Sequence, residues 1–487
     1  MNNPANSFKL INAATDTCAD RLRIHRLAGV FRALMNDRGA PADAALSLVI
    51  RDRFLLAQCV LAGLLSGLTI APVNPDLSVD EMANVLAMAD AKLLITDSEG
   101  VQEAFASLAM AGNLVEDVAN EAEVLASDSD RSDALLGNLL IFTSGTTGDP
   151  KGVLLKGAQL AHNAHTAVQA FGFSSSWVTA SILPLFHTFT LVSDLLTMWQ
   201  VGGTCVVCAP FNAAAIPAIS QAFAQYGVHA YAGVPIVFKM LGRFAAPEHF
   251  KSVRLAIAGA APLYEDTRLA YARLGHEVLP CYGLSEACCF VAISPPGAVV
   301  PRTVGRPTGL ELLVLAEDEG GIETPAGTGE RGEICIRGNA VMPDGYWKRP
   351  QSGVDSYVSG FFRTGDIGFL DQQGYLHITG RRKNMLIQGG EKYYLEDFDR
   401  ILAQLPEVRD SACIVTECKE NHEAYACCLV IDGELNEDLA AQVRAHLVSR
   451  FGTKAAPSRI VRLNEIPRTP TGKTKIDLLR QLVETSA

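Results

Sequence analysis

The sequence predicts an α/β protein of more than one domain: a large N-terminal part built from βαβ-type sheets, followed by a small α+β part. Three observations carry that prediction. From Ala45 to Glu286, strand-like apolar runs alternate with helix-length segments, the pattern of a largely parallel sheet. From Gly297 onward prolines and glycines rise and short alternating strands appear, the texture of antiparallel sheet. Beyond Lys383 the chain mixes two strand patterns with a long helical one, so the expected division is 1–382 and 383–487.

Each element follows in order. The residues before Ala45 are weakly patterned and are expected to form two helices. Ala45–Ile50 reads as a strand, Arg53–Leu65 as a helix, Leu68–Val73 as a strand and Pro75-Asp76 as a turn. Ser78 with Glu81 three residues on is a capping box that opens the next helix. Lys92–Thr96 is a further strand. After a Gly/Thr-rich loop, a helix is expected over Lys156–Phe171 and a strand over Ala180–Pro184. Next come a helix over Ser193–Val201, a strand over Thr204–Cys208 and a helix over Ala214–Tyr226. The strands Ala230–Val234, Val253–Ala258 and Val278–Cys281 follow, with a helix over Tyr264–Leu274. Glu311–Leu315, Glu333–Arg337 and Gly374–Thr379 are the alternating strands. Asp410–Val415 and Glu423–Ile431 are strands, and Glu437–Phe451 is a helix. Several of these strands end in short loops of small or hydroxyl residues, the place where open α/β sheets bind ligands.

Composition bounds the function. A chain of 487 residues is too long for one simple core, and 48% hydrophobic with 19% charged residues is globular. A net charge of −12 argues against a broad nucleic-acid or anionic-membrane surface, so an anionic substrate needs a local positive pocket. The twelve cysteines show no zinc spacing. Cys205 and Cys208 sit on a strand-like run, where residues three apart face opposite ways, a poor metal or redox pair. Scattered, unpaired cysteines fit a reducing cytoplasm. Phe54–Val73 is the one membrane candidate, but its Gln, Pro and Gly residues read as a buried helix feeding a core strand.

The densest chemistry lies in Leu139–Leu155, LLIFTSGTTGDPKGVLL. Gly145, Gly148 and Gly152 let backbone amides approach an anion. Thr143, Ser144, Thr146 and Thr147 offer hydroxyls to phosphate or hydrated Mg²⁺, and Lys151 adds positive charge. The run reads as a polyphosphate grip, although its spacing is not that of the common P-loop. The purely structural alternative is a hairpin with a Gly/Thr-rich turn.

Six blocks, in order, resemble the adenylate-forming superfamily of acyl- and aryl-CoA synthetases, stand-alone adenylation domains and luciferases. They are FTSGTTGDPKG (142–152), LPLFHTF (183–189), YGLSEA (282–287), GEICIRG (332–338), FRTGDIGFLDQQGYLHITGR (362–381) and PRTPTGKTK (467–475). The resemblance spans about Ala45 to Leu479. It implies a large adenylation domain with a small antiparallel barrel-like subdomain, and a mobile C-terminal lid. It also implies two half-reactions: a carboxylate attacks the α-phosphate of ATP to give acyl-AMP and pyrophosphate, then a thiol takes the acyl group and AMP leaves.

Residue by residue, the resemblance makes the loop from Thr143 to Lys151 the triphosphate grip, with Thr147 and Glu286 the Mg²⁺ pair. Gly259, Ala260 and Ala261 with Tyr282 and Gly283 become the adenine site, and Asp366 with Arg381 the ribose site. His187 becomes the aromatic gate near the acyl carboxylate, and Lys473 the mobile catalytic lysine. Lys383 becomes the hinge, and Gly389 and Gly390 the thiol channel. The acyl wall draws on His187, Tyr231, Ala232, Gly233, Val234, Leu284, Cys288, Cys289 and Phe290. Implied cofactors are ATP and Mg²⁺, with CoA or a phosphopantetheinyl carrier protein as acceptor, and no nucleic acid or membrane span.

Three departures from the family pattern stand out. Few residues precede Ala45. The block QGGEKYYLEDFD (388–399) replaces a more usual Asn-Ile-x-Pro run after Gly-Gly-Glu. VMPDGYWKRP (341–350) is one residue longer than usual. Thr188 stands where amino-acid-activating members carry an Asp, with Asp194 the nearest acid beyond it, so an aliphatic or aryl acid is expected over an α-amino acid. The expected activity is that of an acyl-CoA ligase. The rivals are a ligase that loads a carrier protein, a non-catalytic nucleotide binder, and a phosphotransferase built on the Gly/Thr loop.

Overall fold

The computed structural model describes residues 7–37, 45–106, 111–114, 132–143, 150–317, 322–343, 345–349, 356–388, 391–419, 422–468 and 474–485. The fold is mixed α/β, as expected, and forms two compact units. The first comprises Met1–Pro301, Gly305–Glu311 and Arg337–Gly360, and the second Arg302–Val304, Leu312–Ile336 and Phe361–Ala487.

The first unit holds two sheets. One has six strands in the order Ala111–Leu114, Ala91–Thr96, Ala45–Val49, Thr69–Pro72, Asn138–Thr143 and Lys151–Lys156. All neighbours are parallel except the last pair. The apolar run proposed as a buried helix feeding a strand is the helix Arg53–Ser66 followed by the strand Thr69–Pro72. Asp52 caps that helix by accepting from the Phe54 and Leu55 amides, and Gly67 ends it at φ 84°. Its Leu56, Val60, Leu61, Leu64 and Leu65 side chains are buried, each contributing about 1.5–3 kcal/mol. The Ser78–Glu81 capping box is present at the start of the helix Val79–Ala89. Among the described residues no helix is long and apolar enough to cross a membrane.

The other sheet has nine strands, in the order Arg306–Pro307, Phe290–Ile293, Val278–Gly283, Leu255–Ala258, Ala230–Gly233, Val178–Ser181, Thr204–Val207, Lys9–Asn12 and Cys18–Asp20. From Val278–Gly283 to Lys9–Asn12 every pairing is parallel. The chain passes from Val178–Ser181 to Thr204–Val207 on one side, then returns to Ala230–Gly233 on the other. The strand order therefore reverses between Val178–Ser181 and Ala230–Gly233, a topological switch point. The two helices expected before Ala45 are corrected to two short strands and one helix, Arg21–Asp37. Strands of four and three residues are too short to show a period, and Lys9–Asn12 is held by pairing with Thr204–Val207.

The second unit has an antiparallel sheet running Glu323–Pro325, Glu311–Glu317, Gly332–Arg337, Phe361–Leu370, with Leu376–Arg381 paired to the last. Arg363 ties it together, pairing with Glu323 and with Glu333 at 2.5 Å. A further sheet runs Glu391–Tyr394, Met385–Gln388, His422–Ile431, Val408–Lys419, with Arg459–Arg462 parallel to His422–Ile431. The helices Leu395–Leu402 and Glu437–Phe451 pack on it around Phe398, Tyr425 and Leu447.

Candidate active site

Four neighbouring strands of the nine-stranded sheet end side by side, and each carboxyl end delivers a predicted site segment. Val178–Ser181 leads to His187, Ala230–Gly233 to Val234, Leu255–Ala258 to Gly259, Ala260 and Ala261, and Val278–Gly283 to Leu284 and Glu286. The Gly259 amide donates to the Gly233 carbonyl at 3.2 Å, which joins the loop expected at the adenine to the strand expected in the acyl wall. Ala260 stands at φ 68°, a left-handed conformation costing about 1–2 kcal/mol outside glycine. Gly259 is buried against Phe189, whose ring lies 2.9 Å from where a Cβ would stand.

Tyr282 is 9% exposed, and its strand pairs antiparallel with Phe290–Ile293. At Gly283 the register shifts and the chains close up, so that a Cβ would lie 1.5 Å from the Cys289 carbonyl. Glycine is required there by the tight return that aims Glu286. Cys288, at φ 64°, is fully buried and donates its Sγ–H to the Ala340 carbonyl at 3.2 Å. His187 is half-buried at the start of the helical turn Thr188–Thr190, its ring 4.7 Å from Phe186.

The strands on either side of the Gly/Thr run pair antiparallel, registered from Asn138 opposite Lys156 to Thr143 opposite Lys151. The Thr143 hydroxyl donates across its base to the Lys151 carbonyl at 3.4 Å. Ser144, Gly145, Thr146, Thr147 and Gly148 lie outside the described residues, as do Gly389, Gly390 and Lys473. The run follows a strand that continues a parallel sheet, a place in the chain compatible with a phosphate grip. Tyr346 brings the hairpin and Glu286 together. The Lys151 Nζ lies 4.9 Å from its ring centre, and its hydroxyl donates to Glu286 Oε1 at 3.0 Å. Burial, reinforced by the Glu286 carboxylate, pushes the Tyr346 phenol up, so it stays a donor.

Two assignments read differently in place. Tyr231, expected in the acyl wall, is fully buried among Phe223, Phe238 and Phe250, and its hydroxyl donates to that of Tyr271 at 2.7 Å. Strand alternation turns that ring toward the helices packed on the sheet, so it serves the core. Asp194 is also enclosed: its Oδ1 accepts from the Ser193 hydroxyl at 2.9 Å, its Oδ2 is buried, and burial raises its carboxyl well above the usual range.

Sequence reasoning missed Arg53. Its guanidinium is enclosed and donates to the Ser181, Ile182 and Leu183 carbonyls at 3.0, 3.2 and 2.7 Å. It thereby fixes the start of the segment that carries His187. The sequence showed it only as the first residue of the expected helix Arg53–Leu65.

In the second unit, Asp366 and Arg381 stand opposite each other on adjacent strands. Arg381 Nε donates to Asp366 Oδ1 at 2.7 Å, and Asp366 is 3% exposed. Lys383 lies exposed in the turn Arg382–Asn384. Glu333 accepts from Arg363, from Arg382 and from the Gly365 amide, which holds the RTGD segment in place.

Residues 21–347 match the family model of the AMP-binding enzymes, and residues 397–473 that of the AMP-binding enzyme C-terminal domain. The chain is 29% identical to the oxalate–CoA ligase of Arabidopsis thaliana over 92% of its own length and 90% of the relative's. It is 30% identical to the sulfoacetate–CoA ligase of Cupriavidus necator, covering 86% and 84% of the two chains. It is also similar to the ATP-bound crystal structure of MatB from Rhodopseudomonas palustris, with a TM-score of 0.86, 25% identity, and 99% and 97% of the two chains covered.

Proposed function

Because the chain belongs to the AMP-binding enzyme family, we propose that it activates a carboxylic acid with ATP and passes the acyl group to the thiol of CoA. One observation carries the reading: four adjacent strand ends gather His187, Val234, Gly259 to Ala261 and Glu286, beside a hairpin that bears Lys151. A carboxylate oxygen attacks the α-phosphorus, the bond to the bridging oxygen breaks, and pyrophosphate leaves. Thiolate sulfur then attacks the acyl carbon and AMP leaves. Two anions meet in the first step, so the chain must supply positive charge and amide donors.

Lys151 and the loop Thr143–Gly148 hold the β- and γ-phosphates. Glu286 and the Thr147 hydroxyl form an oxygen donor set of the kind Mg²⁺ accepts alongside phosphates and water. The Glu286 carboxylate keeps oxygen sites beyond the one Tyr346 occupies, which fits such an ion. Bound there, Mg²⁺ would neutralise charge on the leaving pyrophosphate. Tyr282 and Gly259 to Ala261 hold the adenine. Asp366, fixed by Arg381, accepts both ribose hydroxyls. Lys473 bridges carboxylate and α-phosphate, and rotation about Lys383 exchanges it for the channel at Gly389 and Gly390.

An aliphatic or aryl acid fits better than an α-amino acid, since Thr188 carries no charge to meet an ammonium and the fully buried Asp194 is raised well above the usual carboxylate range. The block 388–399, which departs from the family pattern, keeps a phosphopantetheinyl carrier protein as a second candidate acceptor. Free cysteines, nearly all buried, fit a cytoplasmic setting. The test is pyrophosphate and AMP release with Mg²⁺ and ATP over a panel of aliphatic, aryl and amino acids, with CoA or a loaded carrier. Acid-dependent pyrophosphate with acyl-CoA formation is expected. No acid-dependent pyrophosphate anywhere in the panel sinks the reading.

A further inference from the structure

The extended block 341–350 stands out in the sequence, and no step of the proposed reaction uses it. Its described residues form a strap across three parts of the first unit. The Met342 amide donates to the Glu286 carbonyl at 2.8 Å, and the Trp347 amide to the Gly152 carbonyl at 2.7 Å. The Trp347 indole donates to the Met88 carbonyl at 3.2 Å, and Lys348 pairs with Asp90 at 2.7 Å. The strap therefore grips the base of the hairpin and the Glu286 turn at once, and is itself anchored to the end of the helix Val79–Ala89. Gly152 is needed for this approach, since a Cβ there would lie 2.9 Å from the Trp347 Cβ.

Tyr346 stands between the two clamped points. Its hydroxyl reaches Glu286 Oε1 at 3.0 Å, and the Lys151 ammonium lies 4.9 Å from its ring centre. One residue thus touches the two groups assigned to the metal and to the phosphates. We propose that Tyr346 is a positioning residue: its hydroxyl fixes the Glu286 carboxylate for a divalent cation, and its ring seats Lys151 for the nucleotide's phosphates. The inference rests on the reading of Glu286 as a cation ligand. An ionised carboxylate offers about four lone-pair sites, so one hydroxyl orients it and leaves the others for an ion. Hydrogen-bond partners that orient a ligating group are typically worth about 10–100-fold in metal affinity. The ring acts separately, since a cation over an aromatic face is held whether or not the hydroxyl is present.

The two roles separate by variant. Binding of the non-cleavable α,β-methylene analogue of ATP to the full chain is measured by calorimetry, without acid or CoA, over a Mg²⁺ titration and in EDTA. Tyr346→Phe should raise the Mg²⁺ needed for half-maximal binding about 10-fold while leaving binding in EDTA unchanged. Tyr346→Leu should weaken binding in EDTA as well. Glu286→Gln is the reference. If it shifts the Mg²⁺ requirement and Tyr346→Phe does not, the positioning role is wrong and the metal reading stands. If Glu286→Gln leaves the requirement unmoved, the metal reading fails and the positioning role with it. If Tyr346→Phe lowers the unfolding temperature and weakens binding equally with and without Mg²⁺, Tyr346 is structural and the proposal is overturned.

Discussion

Arg53 offers a direct test of how the switch point is built. Replacing it with Met keeps most of the apolar stem and removes the guanidinium. Four hydrogen-bond contacts are lost: to the Ser181 carbonyl at 3.0 Å, the Ser181 hydroxyl at 3.2 Å, the Ile182 carbonyl at 3.2 Å and the Leu183 carbonyl at 2.7 Å. Three of them fall on Nη2, which carries two hydrogens, so three bonds form at once. Bonds from a charged donor are worth about 1.5–3 kcal/mol each, so the low end gives about 4.5 kcal/mol for the group. Burial opposes this, pulling the guanidinium from 12.5 down to about 10. At about 1.4 kcal/mol per pH unit, that depression costs about 3 kcal/mol. The net loss expected for Arg53→Met is therefore about 1.5 kcal/mol, which lowers the melting temperature of a large domain by about 3–6 °C. Because the group stays protonated at neutral pH, the loss should not vary between pH 6 and 8. Hydrogen exchange supplies the local readout: amides of 182–189 should exchange faster, and KM for the acid should rise more than KM for ATP. An unchanged melting temperature with unchanged exchange over 182–189 would refute the reasoning.

Three further outcomes follow from individual residues. Asp399 in the second unit accepts from the Cys413 amide at 2.8 Å, and burial pushes its carboxyl up to about 7. Its folded pKa lies above the unfolded value, so the folded state keeps a proton the unfolded chain has lost; stability of this unit should fall as pH rises from about 4 to about 7. Asp399→Asn should flatten that fall in denaturation curves at pH 5 and 8, and an identical slope in both proteins would count against it. Asp366→Ala should weaken ATP binding by calorimetry far more than acid binding, and unchanged ATP affinity would remove Asp366 from the ribose site. Lys473→Ala should abolish adenylation while leaving thiolysis of a supplied acyl-adenylate largely intact, and equal loss of both half-reactions would reject the mobile-lysine role.

Local rules made much of the fold legible. The Ser78–Glu81 box acts within a few residues, and the helix Val79–Ala89 that it opens was readable from it; the helix Arg53–Ser66 was readable from its apolar run. The strands flanking the Gly/Thr run were readable as continuous apolar runs, and they pair in register, although the hairpin itself was only the alternative to a phosphate grip. What stayed hidden depends on distant partners. Lys9–Asn12 is a strand because Thr204–Val207 lies beside it. Tyr231 has the size and polarity of a pocket residue, and only the neighbouring Phe223, Phe238 and Tyr271 turn it into core. Arg53 reads as an ordinary exposed first-turn arginine until the fold places the carbonyls of 181–183 around it. The Tyr346 contact spans 60 positions to Glu286, so no local pattern announces it.

The central claim is that an acid attacks the α-phosphate before any thiol is involved. Exchange of labelled pyrophosphate into ATP measures that step alone. With Mg²⁺, ATP and a substrate acid but no CoA, label should enter ATP, should require the acid, and should be lost in Lys473→Ala. Exchange that proceeds without acid, or that appears only when CoA is added, would contradict an acyl-adenylate formed ahead of thiol attack.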